Sequence, residues 1–131
     1  MKILIVDDSE YARKTLSDRV KHFGHEVIEC DDGDVAIQKS KEEQPDIIFM
    51  DVVMPKMDGI TAIKHIKNQV VDTKIIVCSS MSNKKVIMEA IFAGAYTYLY
   101  KPLHTSQLDK ILDPFYVDDS AEIHSYTINN L

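Results

Sequence analysis

Five short apolar runs recur along the chain, at residues 3–6, 27–30, 47–50, 75–78 and 96–100. Each is four or five residues long and rich in Ile, Val or aromatic side chains. Most lack any alternation of polar and apolar positions. A strand with one wet face alternates, whereas a strand covered on both faces does not. The runs therefore predict a parallel sheet buried between two layers. Those at 27–30 and 96–100 are more mixed, as strands nearer the sheet edges would be.

Between the runs the apolar spacing becomes helical. Ser9 is placed to cap a first helix with Tyr11, Leu16 and Val20 on its apolar side, and Gly24 lies just past its end. A second helix runs from Gly33 to about Lys41, carrying Val35, Ala36 and Ile37 ahead of Pro45. Asp58 is placed to cap a third, in which Ile60, Ile63 and Ile66 recur. Val86, Ile87, Ala90 and Ile91 form a fourth stripe, ended by Gly94. Leu108, Ile111 and Leu112 form a fifth, stopped by Pro114. Strand and helix alternate five times, which predicts an α/β open sheet with right-handed crossovers and helices on both faces.

The pattern changes after Pro114. Phe115-Tyr116-Val117 is apolar, Asp118-Asp119-Ser120 reads as a turn, and residues 123–128 alternate loosely. The expected organisation is one domain over 1–115 and a C-terminal tail over 116–131. A sixth strand, an arm packing on a neighbour and the start of a linker are all open for that tail.

Composition narrows the class. A chain of 131 residues holds one core, since domains run to roughly 100–200 residues. Apolar residues at 45% and charged residues at 27% describe a globular chain. A net charge of -6 argues against direct contact with nucleic acid, which needs a basic face. The first apolar run, Ile3-Leu4-Ile5-Val6, is stopped by Asp7 and Asp8, too early for a signal segment or a membrane span. Cys30 and Cys78 have no metal-ligand spacing and read as buried thiols, so a reducing cytoplasm is expected. The five histidines, His22, His25, His65, His104 and His124, are scattered and read as solvated surface residues.

In an open parallel sheet, sites form at the carboxyl ends of the strands. The first run ends in Asp7-Asp8, the third in Asp51, the fourth in Ser79-Ser80 and the fifth in Lys101-Pro102. One Asp after a strand is ordinarily a turn former. Three carboxylates, a hydroxyl and an ammonium at one rim need a different explanation. Such carboxylates repel unless a hard divalent cation joins them, and oxygen ligands suit Mg²⁺. A carboxylate not consumed by metal binding is a nucleophile toward phosphorus. The ammonium, the cation and the hydroxyl would then spread the phosphoryl charge.

These residues resemble the response regulator receiver family. The stretches that carry the resemblance are Ile3 through Ser9, Asp51-Val52-Val53-Met54-Pro55 with Met57-Asp58-Gly59, residues 75–80, and Gly94-Ala95 leading to Lys101-Pro102. They span residues 1 to about 113 and are most similar to stand-alone chemotaxis-type receivers. The resemblance implies a flavodoxin-like doubly wound sheet of five parallel strands in the order 2-1-3-4-5. It implies that Asp7 and Asp8 hold Mg²⁺, with Asp8 preferred as the direct ligand. Asp51 would be phosphoacceptor and metal ligand, and the Val53 backbone carbonyl a further ligand. Lys101 would pair with the phosphoryl group across a cis Lys101-Pro102 bond. Ser79 matches the switch hydroxyl, and Ser80 stands where the family prefers a very small residue. Tyr98 matches the aromatic switch residue whose ring moves inward, and Gly59 fits a tight turn before the third helix. The partners implied are a histidine kinase or phosphotransfer protein upstream and a target protein or output domain downstream, with no membrane contact. The face formed by helix 4, strand 5 and helix 5 would change shape and be read.

The chain is expected to be a switch and not an enzyme. A haloacid-dehalogenase-type phosphatase needs a second Asp two residues after the nucleophile, where this chain has Val53. An FMN binder needs a Ser/Thr/Gly-rich loop after the first strand, where this chain has Asp-Asp-Ser-Glu. A pseudo-receiver that binds without phosphorylation would not need the complete acidic set. Val53 and Met81 flank the expected phosphate, and neither side chain can orient an attacking water, which predicts a long-lived phosphoryl state.

Overall fold

A computed structural model describes residues 1–53, 58–113 and 115. Strands β1 (Lys2–Val6), β2 (Glu26–Cys30), β3 (Ile47–Met50), β4 (Lys74–Ser79) and β5 (Thr97–Tyr100) alternate with helices. The helices are α1 (Glu10–His22), α2 (Gly33–Glu43), α3 (Gly59–Gln69), α4 (Lys84–Ala93) and α5 (Thr105–Leu112). All the strand pairings are parallel, in the order β2-β1-β3-β4-β5. The mixed runs are indeed the edge strands β2 and β5.

The missing alternation now has its cause. Successive side chains of one strand enter different cores. Leu4, Val6, Ile48, Met50, Ile75 and Val77 face Ala36 of α2, Ile63 and Ile66 of α3, and Ile87 of α4. Ile3, Ile5, Ile47, Phe49, Ile76 and Cys78 face Leu16 and Val20 of α1, and Leu108 and Leu112 of α5. Each fully buried side chain of this size contributes about 1.5–3 kcal/mol, before the entropy of ordering it. Arg19 of α1 makes a bidentate pair with Asp109 of α5, at 2.6 Å to each carboxylate oxygen, which ties the two helices of that layer.

The helix starts are held by side-chain caps. Ser9 accepts from Ala12 N at 3.2 Å and Asp58 from Thr61 N at 2.9 Å, both as expected. Asp32 and Asn83 cap α2 and α4 in the same way. The second helix runs to Glu43, past the expected end, and Gln44 closes it in the left-handed region at φ 49°.

Tyr96 lies outside β5. Its N–H still donates to the Ile75 carbonyl at 2.7 Å. Both cysteines are buried, and burial raises the Cys30 thiol to about 12. His25 corrects the expectation that all the histidines are solvated: it is 8% exposed. The α1–β2 connection tucks it under the sheet, where Nδ1 is 2.9 Å from the Met1 nitrogen and Nε2 meets the Leu112 carbonyl. His124, Pro114, residues 54–57 and the tail over 116–131 lie outside the described residues. Among the described residues, no helix is long and apolar enough to cross a membrane.

Candidate functional site

Parallel strands deliver their C-terminal residues to one edge, and the expected side chains meet there. Asp7 and Asp8 follow β1, Asp51 follows β3, Ser79 closes β4 and Lys101 follows β5. Each of the three acids offers a carboxylate oxygen, and these oxygens lie within 4.8 Å of one another. Asp7 and Asp51 are buried and Asp8 is exposed. Among the described residues this is the one grouping of three or more metal-type ligands. A concavity of about 630 Å³ lies at the opposite end of the strands, against Gln44, Asp46, Thr73, Lys74 and Tyr96. It gathers no such donor set, so the rim is the better candidate.

Lys101 reaches across the rim to two of the acids. Its Nζ donates to Asp7 Oδ2 at 2.7 Å and to Asp51 Oδ2 at 3.4 Å. Burial opposes the ammonium charge, but the hydrogen bond to Asp7 and the field of Asp51 and Asp7 outweigh it. The lysine is held above its ordinary pKa. The Lys101-Pro102 bond is cis, as expected.

Asp51 and Asp7 are each held from two sides. Asp51 Oδ1 accepts from Val53 N at 3.0 Å and Asp7 Oδ1 from Ser9 N at 2.9 Å. For Asp51, burial pushes the pKa up, and the Asp7 charge adds to this. The Val53 N–H and Lys101 pull it back only in part, so the carboxyl sits above its usual range. Val53 itself is 52% exposed.

The backbone under Asp51 is pressed by α3. Gly59, the first residue of that helix, donates its N–H to the Val52 carbonyl at 3.1 Å. A Cβ at Gly59 would lie 2.4 Å from the Asp51 carbonyl oxygen and 2.6 Å from Val52 Cα. Only glycine lets the helix start this close to the strand end.

Ser79 is buried, and its Oγ accepts from Met81 N at 3.2 Å. Ser80 beside it is exposed. Tyr98 is 2% exposed, and its hydroxyl donates to the Met81 carbonyl at 2.7 Å. Burial raises the Tyr98 phenol pKa, and a hydrogen bond with Ser79 offsets this only in part. The Tyr98 ring therefore lies inside the fold. Ser79, Met81 and Tyr98 form one hydrogen-bonded group beneath the β4–α4 loop.

Arg13 was not singled out by the sequence. Its Nη1 donates to the Asp7 carbonyl at 2.7 Å, and its Nε lies 3.6 Å from Glu29. An arginine in the second turn of a helix carries no local sign that it reaches back to the preceding strand.

Known proteins are similar to this chain in sequence and fold. The chemotaxis protein CheY of Bacillus subtilis is 42% identical over 113 residues, covering 86% of this chain and 92% of that protein. CheY of Thermotoga maritima is also 42% identical over 113 residues, covering 86% and 94%. The structure of Vibrio cholerae CheY4 matches with a TM-score of 0.79 at 32% identity, over 85% of this chain and 94% of that one. A chain of the CheX–CheY–BeF3–Mg complex from Borrelia burgdorferi matches with a TM-score of 0.77 at 32% identity, over 82% and 83%. Residues 3–113 match the response regulator receiver domain, and the chain belongs to that family.

Proposed function

We propose that Asp51 is the phosphoacceptor of a two-component signalling switch. The observation that carries this is the convergence of Asp7, Asp8 and Lys101 on the Asp51 carboxylate at one sheet edge. An ionised carboxylate needs no general base to attack phosphorus. An oxygen of Asp51 forms the new P–O bond. The P–N bond to a phosphohistidine breaks, and its electron pair stays on the donor imidazole. The donor is a histidine kinase or phosphotransfer protein, and small acyl phosphates serve in its place.

The donor set fits Mg²⁺. Three carboxylates face one ammonium within reach, so the rim is under-neutralised, and its ligands are all hard oxygens. Asp8 and Asp51 would hold the ion, with the Val53 carbonyl as a further ligand. Asp7 is already engaged by Lys101 and Ser9, so it acts beside the ion and Asp8 binds it directly. When bound, the cation supplies positive charge that offsets the carboxylates and the phosphoryl oxygens. The Borrelia neighbour is described with BeF3 and Mg, which supports the same reading here.

Lys101 pairs with the phosphoryl group, and Ser79 hydrogen-bonds one of its oxygens. Turning Ser79 Oγ toward phosphate withdraws it from Met81 N and shifts the β4–α4 loop. Tyr98, seated against Met81, holds the inward position that this shift favours. The α4–β5–α5 face then presents a changed surface to a target protein or output domain. Phosphate shifts a two-state population because it makes these contacts in one state only. The chain is thus a switch of the cytoplasmic signalling machinery, not a turnover enzyme. Val53 stands where a phosphatase would need an acid. Residues 1–115 form the switching unit and 116–131 its tail.

Intact-mass analysis after incubation with acetyl phosphate and Mg²⁺ tests this. The expected result is one added phosphoryl group, lost in EDTA and absent in Asp51→Asn. Stoichiometric labelling of Asp51→Asn would overturn the assignment.

A further inference from the structure

We infer that Arg13 is a positioning residue for the cation site, acting through the backbone of Asp7. The inference rests on the proposed Mg²⁺-dependent phosphoacceptor role.

The strand ladder ends just before the acidic pair. Asp7 N still donates to the Cys30 carbonyl at 3.2 Å, and Asp51 N to the Val6 carbonyl at 3.0 Å. The Asp7 carbonyl lies past that ladder and takes its hydrogen bond from the Arg13 guanidinium at 2.7 Å. A peptide unit is planar and includes both flanking Cα atoms. Fixing the Asp7 oxygen therefore fixes the plane that carries the Cα atoms of Asp7 and Asp8 together. The Asp7 carboxylate has further restraints in Lys101 and Ser9. Asp8 is exposed, and this backbone plane is what aims it at Asp51.

Arg13 is itself anchored. Its side chain is 18% exposed, and Glu29 on β2 faces its Nε at 3.6 Å. Both the helix and the neighbouring strand thus hold the guanidinium where it meets Asp7. A lysine at this position would keep the charge but lose the planar fork that contacts Glu29 and the Asp7 carbonyl together.

Charge and geometry predict opposite effects, which makes the role separable. A positive charge near the rim repels a cation, so a residue acting by charge alone weakens Mg²⁺ binding. A residue acting by position strengthens it.

Isothermal titration of Mg²⁺ into the full chain is compared for wild type, Arg13→Lys and Arg13→Ala, with thermal unfolding of each. Arg13→Lys is expected to weaken Mg²⁺ binding about tenfold, as loss of an orienting outer contact does at metal sites. Acetyl-phosphate labelling of that variant should recover at saturating Mg²⁺, because the chemistry at Asp51 is intact. An unchanged Mg²⁺ affinity in Arg13→Lys, with only the melting temperature lowered, would overturn the inference. Tighter Mg²⁺ binding by Arg13→Ala together with an unchanged Arg13→Lys would do the same, leaving charge as the sole effect. If the wild-type chain itself bound no Mg²⁺, the phosphoacceptor reading would fail first, and the inference with it.

Discussion

Replacing Gly59 with alanine tests the link between the α3 start and Asp51, the proposed phosphoacceptor. The added Cβ would meet the Asp51 carbonyl oxygen at 2.4 Å, Val52 Cα at 2.6 Å and the Asp51 carbonyl carbon at 3.0 Å. All three are backbone atoms and cannot swing aside. Ordinary contact begins near 3.4 Å, so α3 and the β3 end must part by about 1 Å. Two effects favour the variant: alanine is the better helix former by about 1 kcal/mol, and it restricts the unfolded chain. Overpacking a rigid contact opposes them at about 1–3 kcal/mol, and parting the elements also loosens the Gly59 N–H bond to Val52. The net expectation is a loss of about 1 kcal/mol, or roughly 4 °C in melting temperature for a chain of this size. The second readout is chemical. A displacement of about 1 Å at a reacting group costs on the order of a hundredfold in rate, so acetyl-phosphate labelling should slow by at least about tenfold. Differential scanning fluorimetry and timed intact-mass analysis read the two effects. A variant as stable as wild type and labelled at the same rate would show that α3 does not press on Asp51.

Three further outcomes follow from the same geometry. Burial raises the Asp51 pKa. Between the ordinary carboxylate value and that raised value, the folded chain keeps a proton the unfolded chain has lost, so stability falls as pH rises through this window. Asp51→Asn should therefore melt a few degrees higher than wild type at neutral pH in EDTA, and wild-type labelling should decline on the acid side while an ordinary carboxylate is still ionised; a lower melting point for Asp51→Asn would contradict this. Tyr98→Phe removes the bond to the Met81 carbonyl and should cost about 1 kcal/mol in urea unfolding, with no cost showing that the bond does not form. Val53 and Met81 are both exposed beside the rim, and neither can orient water, so the acyl phosphate should persist for minutes in a phosphate-release assay and shorten in Val53→Asn; a lifetime of seconds in the wild type would refute the reading.

The sheet was legible because its strands are covered on both faces. Ile3-Leu4-Ile5-Val6 shows no alternation, since its odd and even residues enter different cores. The rim was legible because a parallel sheet sends Asp7, Asp8, Asp51, Ser79 and Lys101 to the same end. What stayed hidden depends on pairs far apart in sequence. His25 meets Leu112 across 87 positions, and Lys101 meets Asp7 across 94. No local window contains either pair. Spacing alone does not separate Asp7 from Asp8, and the preference for Asp8 as direct ligand came from the family resemblance. In the structure the two acids differ in surroundings, Asp7 being buried against Lys101 and Ser9 and Asp8 exposed. Arg13 and the caps at Asp32 and Asn83 were missed for another reason. Each is an ordinary polar residue until the backbone group it contacts is known.

The most direct measurement is the position of the phosphoryl group on the chain. After loading with acetyl phosphate and Mg²⁺, borohydride reduces an aspartyl phosphate to homoserine, and peptide mass spectrometry locates the change. The account predicts conversion at residue 51 alone, dependent on Mg²⁺. Conversion at Asp7 or Asp8, or a phosphoryl group that resists borohydride on a serine or histidine, would contradict it.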